Sequence, residues 1–207
     1  MHSMSGLILK EPSHEYFLNG LRIPGATGIL KANGVIEDTW FNEGARFRGT
    51  AVHACCHYLA EGYLDLGSVK PEIIGFLNAY QEACQSLDFW PQECETAIYH
   101  PIYLYGVKPD QIGIYGGLNG GLKKEGIFEL KTGQMQPWTA LQTALQAMAR
   151  WPRDYFTKVR FGIELHEDGT FKAEQFTDVK DFDVAMSMIS VYQWKNQKMK
   201  KETKTNE

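Results

Sequence analysis

The stretch Gly126-Ile127-Phe128-Glu129-Leu130-Lys131-Thr132-Gly133 decides how the rest of the chain is read. Gly126–Leu130 is short, rich in large apolar residues and bounded by glycine, so it predicts a strand, with Thr132-Gly133 closing it as a turn. Side chains two apart on a strand leave the same face, which sets Glu129 beside Lys131. Downstream, Pro137 starts a helix reaching about Arg150, proline being tolerated at the first helical position. Tyr155–His166 and Thr170–Phe176 then flank Glu167-Asp168-Gly169 as a hairpin, and Asp178–Lys195 closes the chain as a helix.

Working back from Gly126, Cys94–Tyr105 and Gln111–Tyr115 have the same short, aromatic and β-branched character and complete a three-stranded meander. Before it lie two helices. One runs from about Thr39 to Gly62, with Val52, Leu59 and Tyr63 on an apolar stripe, and the other from Pro71 to Leu87. At the start, Glu15–Ile23 carries Asn19-Gly20 between apolar residues, the strongest short hairpin signal. The order of hairpin, two helices, meander, helix, hairpin and helix predicts an α/β fold with a mixed β-sheet flanked by α-helices.

The chain has 207 residues, the length of one ordinary domain, and no repeat or Pro/Gly linker divides it, so residues 1–207 are read as a single domain. Met1–Ser3 precede a second methionine and are set aside as an expression remnant, and residues from about 199 to 207 are expected to form a flexible Lys-rich tail. With 21 Lys+Arg against 25 Asp+Glu the net charge is −4, which speaks against nucleic acid if taken as a whole. Position changes that argument. Lys195–Glu207 holds five Lys and two Glu, so it carries +3 and leaves −7 on the remainder, where carboxylates are available to a cation. No apolar run approaches the roughly 20 residues that cross a bilayer, and the first residues carry no export signal, so no membrane association and a cytoplasmic location are expected. Cys55, Cys56, Cys84 and Cys94 form no CxxC pair and are expected as reduced thiols.

Three stretches hold candidate chemistry: Gly49-Thr50-Ala51-Val52-His53, Pro109-Asp110, and Glu129-Leu130-Lys131. If Asp110 begins the strand next to Gly126–Leu130, two carboxylates and an ammonium converge. Carboxylates about 5 Å apart repel by about 3 kcal/mol at an effective dielectric near 20, so without a cation one tends to hold a proton. A divalent ion removes that conflict, and hard oxygen ligands suit Mg²⁺ or Mn²⁺.

Pro109-Asp110, followed nineteen positions on by Glu129-Leu130-Lys131, resembles the signature of the PD-(D/E)XK nuclease superfamily. Gly49–His53, Glu95 and Leu141-Gln142 resemble its RecB-type branch, in particular small phage-encoded exonucleases. The resemblance covers roughly Ile23 to Arg150 and implies a restriction-endonuclease-like core. It implies a deoxyribonuclease, more an exonuclease than an endonuclease, acting in phage recombination or replication through metal-activated water, in the host cytoplasm. Asp110, Glu129, Lys131 and Gln142 are then the catalytic set. His53, Glu95, Asp110, Glu129 and the Leu130 carbonyl are the metal ligands, for one or two Mg²⁺ or Mn²⁺ ions, with His53 favouring Mn²⁺ and Glu93 the alternative to Glu95. DNA is the implied partner, with a recombination or replication protein as a further one. Two departures stand out. Gln146 stands where the family often has a tyrosine, four residues after the glutamine, so the substrate-side contact is expected to differ. All four cysteines precede Asp110, unlike the iron-sulfur relatives, so no cluster is expected.

Plainer readings stand beside these. His53 and His57 are four apart and could bind zinc, but no third ligand is evident. Asp110 fits a turn after proline, and Glu129 with Lys131 fits an exposed ion pair. Asn119-Gly120-Gly121 lacks the Gly-Lys-Ser/Thr of a phosphate loop and reads as a hairpin turn. Arg46, Arg48, Lys123 and Lys124 are candidates for contact with a DNA backbone, as are Arg150, Arg153, Lys158 and Arg160, and Trp138 for stacking on a base. The rival function is a catalytically silent module that holds DNA or a protein partner; retention of Asp110, Glu129 and Lys131 argues for the enzyme.

Overall fold

The computed structural model describes residues 6–11, 13–36, 43–117 and 121–205, with side chains to residue 197. The expected scar at Met1–Ser3, the start of the first long helix at Thr39 and the Asn119-Gly120 turn lie outside the described residues.

An antiparallel sheet of β1 (Leu7–Lys10), β2 (Glu15–Leu18) and β3 (Leu21–Ile23) opens the chain. The β2–β3 turn is the expected one: Asn19 and Gly20 have φ of 51° and 81°, the two positive angles that match the twist of a tight hairpin. Helices α1 (Ala26–Ala32), α2 (Glu43–Ala60) and α3 (Pro71–Ser86) follow. Tyr63 lies past the end of α2 and is exposed, so it does not extend the buried stripe.

The central sheet holds β4 (Phe89–Cys94), β7 (Gln111–Tyr115), β8 (Lys124–Lys131), β9 (Val159–Leu165) and β10 (Phe171–Gln175), in the order β10-β9-β8-β7-β4. Between β4 and β7 sits a small pair, β5 (Ile98–Tyr99) and β6 (Gly106–Val107). The strand expected at Cys94–Tyr105 is therefore not formed as such. Glu95 and Leu104 have φ of 51° and 52°, left-handed values that a strand does not tolerate, and the ladder partner of β7 is β4 instead. Pro91 is accommodated in β4 because this is an edge strand with a register shift between Pro91 and Glu93.

Helix α4 (Thr139–Arg150) connects β8 to β9, which pair in parallel, while the other central pairs are antiparallel. The sheet is thus mixed and flanked by helices, the α/β arrangement expected from the order of elements in the sequence. Helix α5 (Lys180–Thr205) runs beyond its expected end at Lys195 and takes in most of the segment expected as a tail.

Two cores, one on each face of the sheet, follow from the alternation of side chains. Ile112 and Ile127 pack with Leu145 and Met148 of α4, Ile189 of α5 and Leu30 of α1. Phe128, Leu130, Phe161 and Ile163 pack on the other face with Val52 of α2 and Phe76, Leu77 and Tyr80 of α3. Each fully buried apolar side chain contributes about 1.5–3 kcal/mol, and together they hold α2 and α4 against opposite faces of the β8 edge where the candidate residues lie.

Candidate active site

The ladder between β7 and β8 ends at the Gln111–Phe128 pair, so Leu130 projects its backbone edge past the end of β7. Asp110, the residue before β7, fills that gap: its Oδ2 accepts a hydrogen bond from the Leu130 N–H at 2.7 Å. A strand residue sends its N–H and C=O to the same side, so the Leu130 carbonyl lies on this edge too. Helix α2 reaches the edge from the other side of the sheet. It can do so because Gly49, whose missing side chain would stand 3.3 Å from the Thr132 hydroxyl, comes close to the turn after β8. One helical turn on, His53 Nδ1 lies 3.2 Å from Asp110 Oδ1 and 3.8 Å from Glu95 Oε1.

Glu95 is aimed here by its left-handed backbone, which turns the chain away from β4, while its N–H donates to the Asp110 carbonyl at 3.0 Å. One ligand atom each from His53, Glu95 and Asp110 lies within 4.8 Å of the others. Of the two candidates Glu93 and Glu95, it is Glu95 that lies with His53 and Asp110, while Glu93 takes the Arg150 guanidinium.

A second set, on the α4 face of β8, centres on Glu129, which is 3% exposed. Its Oε1 accepts from Lys131 Nζ at 2.8 Å and from Gln142 Nε2 at 2.6 Å, and its Oε2 from Gln146 Nε2 at 2.8 Å. Lys131 Nζ also donates to Gln142 Oε1 at 3.3 Å. Glu129 stands outside the compact group of three; Asp110 links the two sets through the Leu130 N–H.

Charge in this pocket is unevenly held. Burial disfavours the His53 imidazolium, yet the Asp110 carboxylate outweighs it and its pKa is pushed up to about 10. Burial likewise opposes an ionised Asp110, but the His53 charge brings its pKa below the usual carboxylate range. Glu129 goes the other way, raised by burial and then by the Asp110 charge, against the pull of Lys131. The neighbouring Asp110 and Glu95 carboxylates thus favour the protonated form of His53. One imidazole nitrogen, carboxylate oxygens and a carbonyl form a hard, mixed donor set that suits Mg²⁺ or Mn²⁺, so the residues present fit such an ion.

The other candidates divide sharply. Trp138 borders the site, its ring 5.3 Å from Lys131 Nζ. Arg46 is exposed on α2, whereas Arg48 lies along the Phe76 ring at 5.8 Å with its Nε buried. Lys123 sits over Trp90 at 4.5 Å, and Lys124 opens β8 opposite Tyr115. Arg160 is not on a phosphate track: it is 2% exposed and donates to Asp181 and to the carbonyls of Ala140, Phe176 and Asp178. Lys158 is engaged by Glu125 and Asp154, and Arg150 by Glu93. His57 pairs with Glu61 at 3.1 Å and so does not join His53 in a zinc pair.

One residue here escaped the sequence reading. Lys108 bridges Glu95 Oε2 at 2.6 Å and Glu11 Oε1 at 2.9 Å, tying the N-terminal sheet to the site. Its signal was its place two residues before Asp110, where period two favours a shared face. Gln146, singled out in the sequence only as a departure from a tyrosine, lies one helical turn from Gln142 and reaches Glu129.

No family profile and no curated protein matches this chain. Among solved structures it is similar to an alkaline exonuclease from Laribacter hongkongensis, at 15% identity and a TM-score of 0.48, over 88% of this chain and 91% of that one. The same exonuclease in complex with dAMP gives 14% identity and a TM-score of 0.42, over 89% and 92% of the two chains. A protein assigned as an exonuclease in Eubacterium rectale gives 10% identity and a TM-score of 0.43, over 81% of this chain and 71% of that one.

Proposed function

We propose that this chain is a divalent-metal-dependent deoxyribonuclease of the PD-(D/E)XK superfamily, acting as an exonuclease of the RecB-type, phage-encoded kind in recombination or replication. The observation that carries the reading is the convergence of Asp110, Glu129 and Lys131 at the broken edge of β7 and β8, with His53 and Glu95 beside Asp110. His53, Glu95, Asp110, Glu129 and the Leu130 carbonyl would hold Mg²⁺ or Mn²⁺. A cation bound there would supply positive charge to a phosphate oxygen and acidify a water.

The chain's own groups do the rest. Asp110 is fixed in direction by the Leu130 N–H, so its Oδ1 stays turned toward His53. An ammonium has three N–H donors, and Glu129 and Gln142 take two from Lys131. The third has no hydrogen-bond partner among the described residues and would orient a water or meet negative charge developing on the phosphate, the kind of fixed donor whose loss costs about 10²–10³ in rate. Gln142 keeps Lys131 and Glu129 in register by donating to one and accepting from the other.

The decisive experiment is digestion of end-labelled linear and covalently closed circular DNA with Mn²⁺, Mg²⁺ or EDTA. Wild type should cut linear DNA only with metal, and Glu129→Gln and Lys131→Ala should each lose at least about 10²-fold in rate. Activity that survives EDTA or both substitutions would sink the mechanism. Cutting of closed circles would sink the exonuclease reading, and metal-dependent DNA binding without cleavage would favour the silent module.

A further inference from the structure

Building on the nuclease reading, we propose that Gln146 is a positioning residue for Glu129: its side-chain amide holds the second carboxylate oxygen and so sets the direction from which a cation meets it. Gln146 is 2% exposed, within the otherwise apolar run Ala144-Leu145-Gln146-Ala147-Met148-Ala149 of α4. Its Nε2 donates to Glu129 Oε2 at 2.8 Å, while its own Oε1 is buried without a partner among the described residues. Turning the amide over would set that oxygen against a carboxylate oxygen, so Glu129 dictates the orientation. A residue kept for packing would not leave a buried carbonyl oxygen unpaired, since leucine or methionine fills similar space with no polar atom to satisfy.

The partition of lone pairs gives the bond its meaning. Glu129 Oε1 already accepts from Lys131 and Gln142, which occupies both of its lone pairs. Oε2 accepts only from Gln146 among the described residues, which leaves one lone pair, and the amide fixes where that lone pair points. Gln142 and Gln146 are one helical turn apart, so a single face of α4 grips the carboxylate at both oxygens. Position 146, where the resemblance leads one to expect an altered substrate-side contact, is thus assigned to the metal side of the site.

The test compares Gln146→Met, which keeps length and volume without a donor, with Gln146→His, which keeps an N–H. Mn²⁺ affinity is read by calorimetry or electron paramagnetic resonance, alongside the Mn²⁺ concentration for half-maximal DNA cleavage and the KM for DNA. Gln146→Met should weaken Mn²⁺ binding by roughly 10–100-fold and shift half-activation in parallel, with KM for DNA held within about twofold. Gln146→His should recover most of the loss. Wild-type Mn²⁺ affinity in Gln146→Met, a change confined to KM for DNA, or no recovery in Gln146→His would each overturn the assignment. If Gln146→Met does not fold, Gln146→Asn, one methylene shorter, reads the same bond with the same outcomes. A wild type that neither binds Mn²⁺ nor cuts DNA would overturn the nuclease reading itself; a competent wild type with matching variants overturns only the role of Gln146.

Discussion

With no cation beside it, the His53 side chain is a strong base, its pKa pushed up to about 10 against the cost of burial by the Asp110 carboxylate. The folded value lies above the unfolded value of about 6.5. The ion pair therefore contributes fully below pH 6.5, and its contribution is lost as pH rises toward 10. In EDTA, the melting-temperature gap between wild type and His53→Gln should narrow steadily from pH 6 to pH 10, and a constant gap would refute the pairing. Arg160 makes a different point. Removing it strands Asp181 and three carbonyls, so Arg160→Ala should lose about 3–5 kcal/mol in urea unfolding, where a loss below about 1 kcal/mol would mark a solvated side chain. In the sequence Arg160 looked like a surface cation, because Val159–Leu165 alternates apolar with Arg, Gly and Glu as a half-exposed strand does. Every residue of that strand is in fact buried, with α4 and α5 over the polar face, and the identity of the cover is tertiary information. Glu129 and Lys131 were legible for the opposite reason, since strand period alone sets them side by side.

Among the elements, those with strong local signals were found where expected: the Asn19-Gly20 hairpin, the proline-started α3, and β7 and β8. The errors fall where one residue's backbone overrides the pattern. Glu95 and Leu104 carry left-handed angles that interrupt an apolar run otherwise fit for a strand, and Pro91 disguised β4. Helix α1, seven residues long, is too short for periodicity to reveal. Gly75, inside α3, has a role that only packing discloses: an added Cβ would run into the Glu167 carbonyl on the β9–β10 turn. Helix propensity favours alanine there by about 0.5–1 kcal/mol, but overpacking costs about 1–3 kcal/mol, and a backbone neighbour yields least. Gly75→Ala should therefore lower Tm by a few degrees, at about 2–4 °C per kcal/mol for a chain of this size; a rise in Tm would show that the contact relaxes freely.

Across the whole molecule, α2 supplies His53 from one face of the sheet and α4 supplies Gln142 and Gln146 from the other, with Asp110, Glu129 and Lys131 at the strand edge between them. The net charge of −4 concealed this arrangement, because the fold gathers Glu95 and Asp110 into one group and sets Glu129 beside it, next to Leu130, whose N–H donates to Asp110. The parallel pairing of β8 with β9 was equally hidden, since side-chain alternation is the same in either direction. Glu95 and Asp110 owe their meeting to the backbone bond between them, and His53 joins only once α2 is docked. That order has a kinetic consequence. A cation would have nothing to grasp until these distant segments are together, so any stabilisation it brought is expected in the native state and not in the folding transition state. In stopped-flow measurements, Mn²⁺ should slow the unfolding limb and leave the folding limb superimposed on that in EDTA. Faster folding in Mn²⁺ would place the site in the nucleus. On the geometry described, a bound ion would act as a latch on the finished fold, lengthening its lifetime without guiding its assembly.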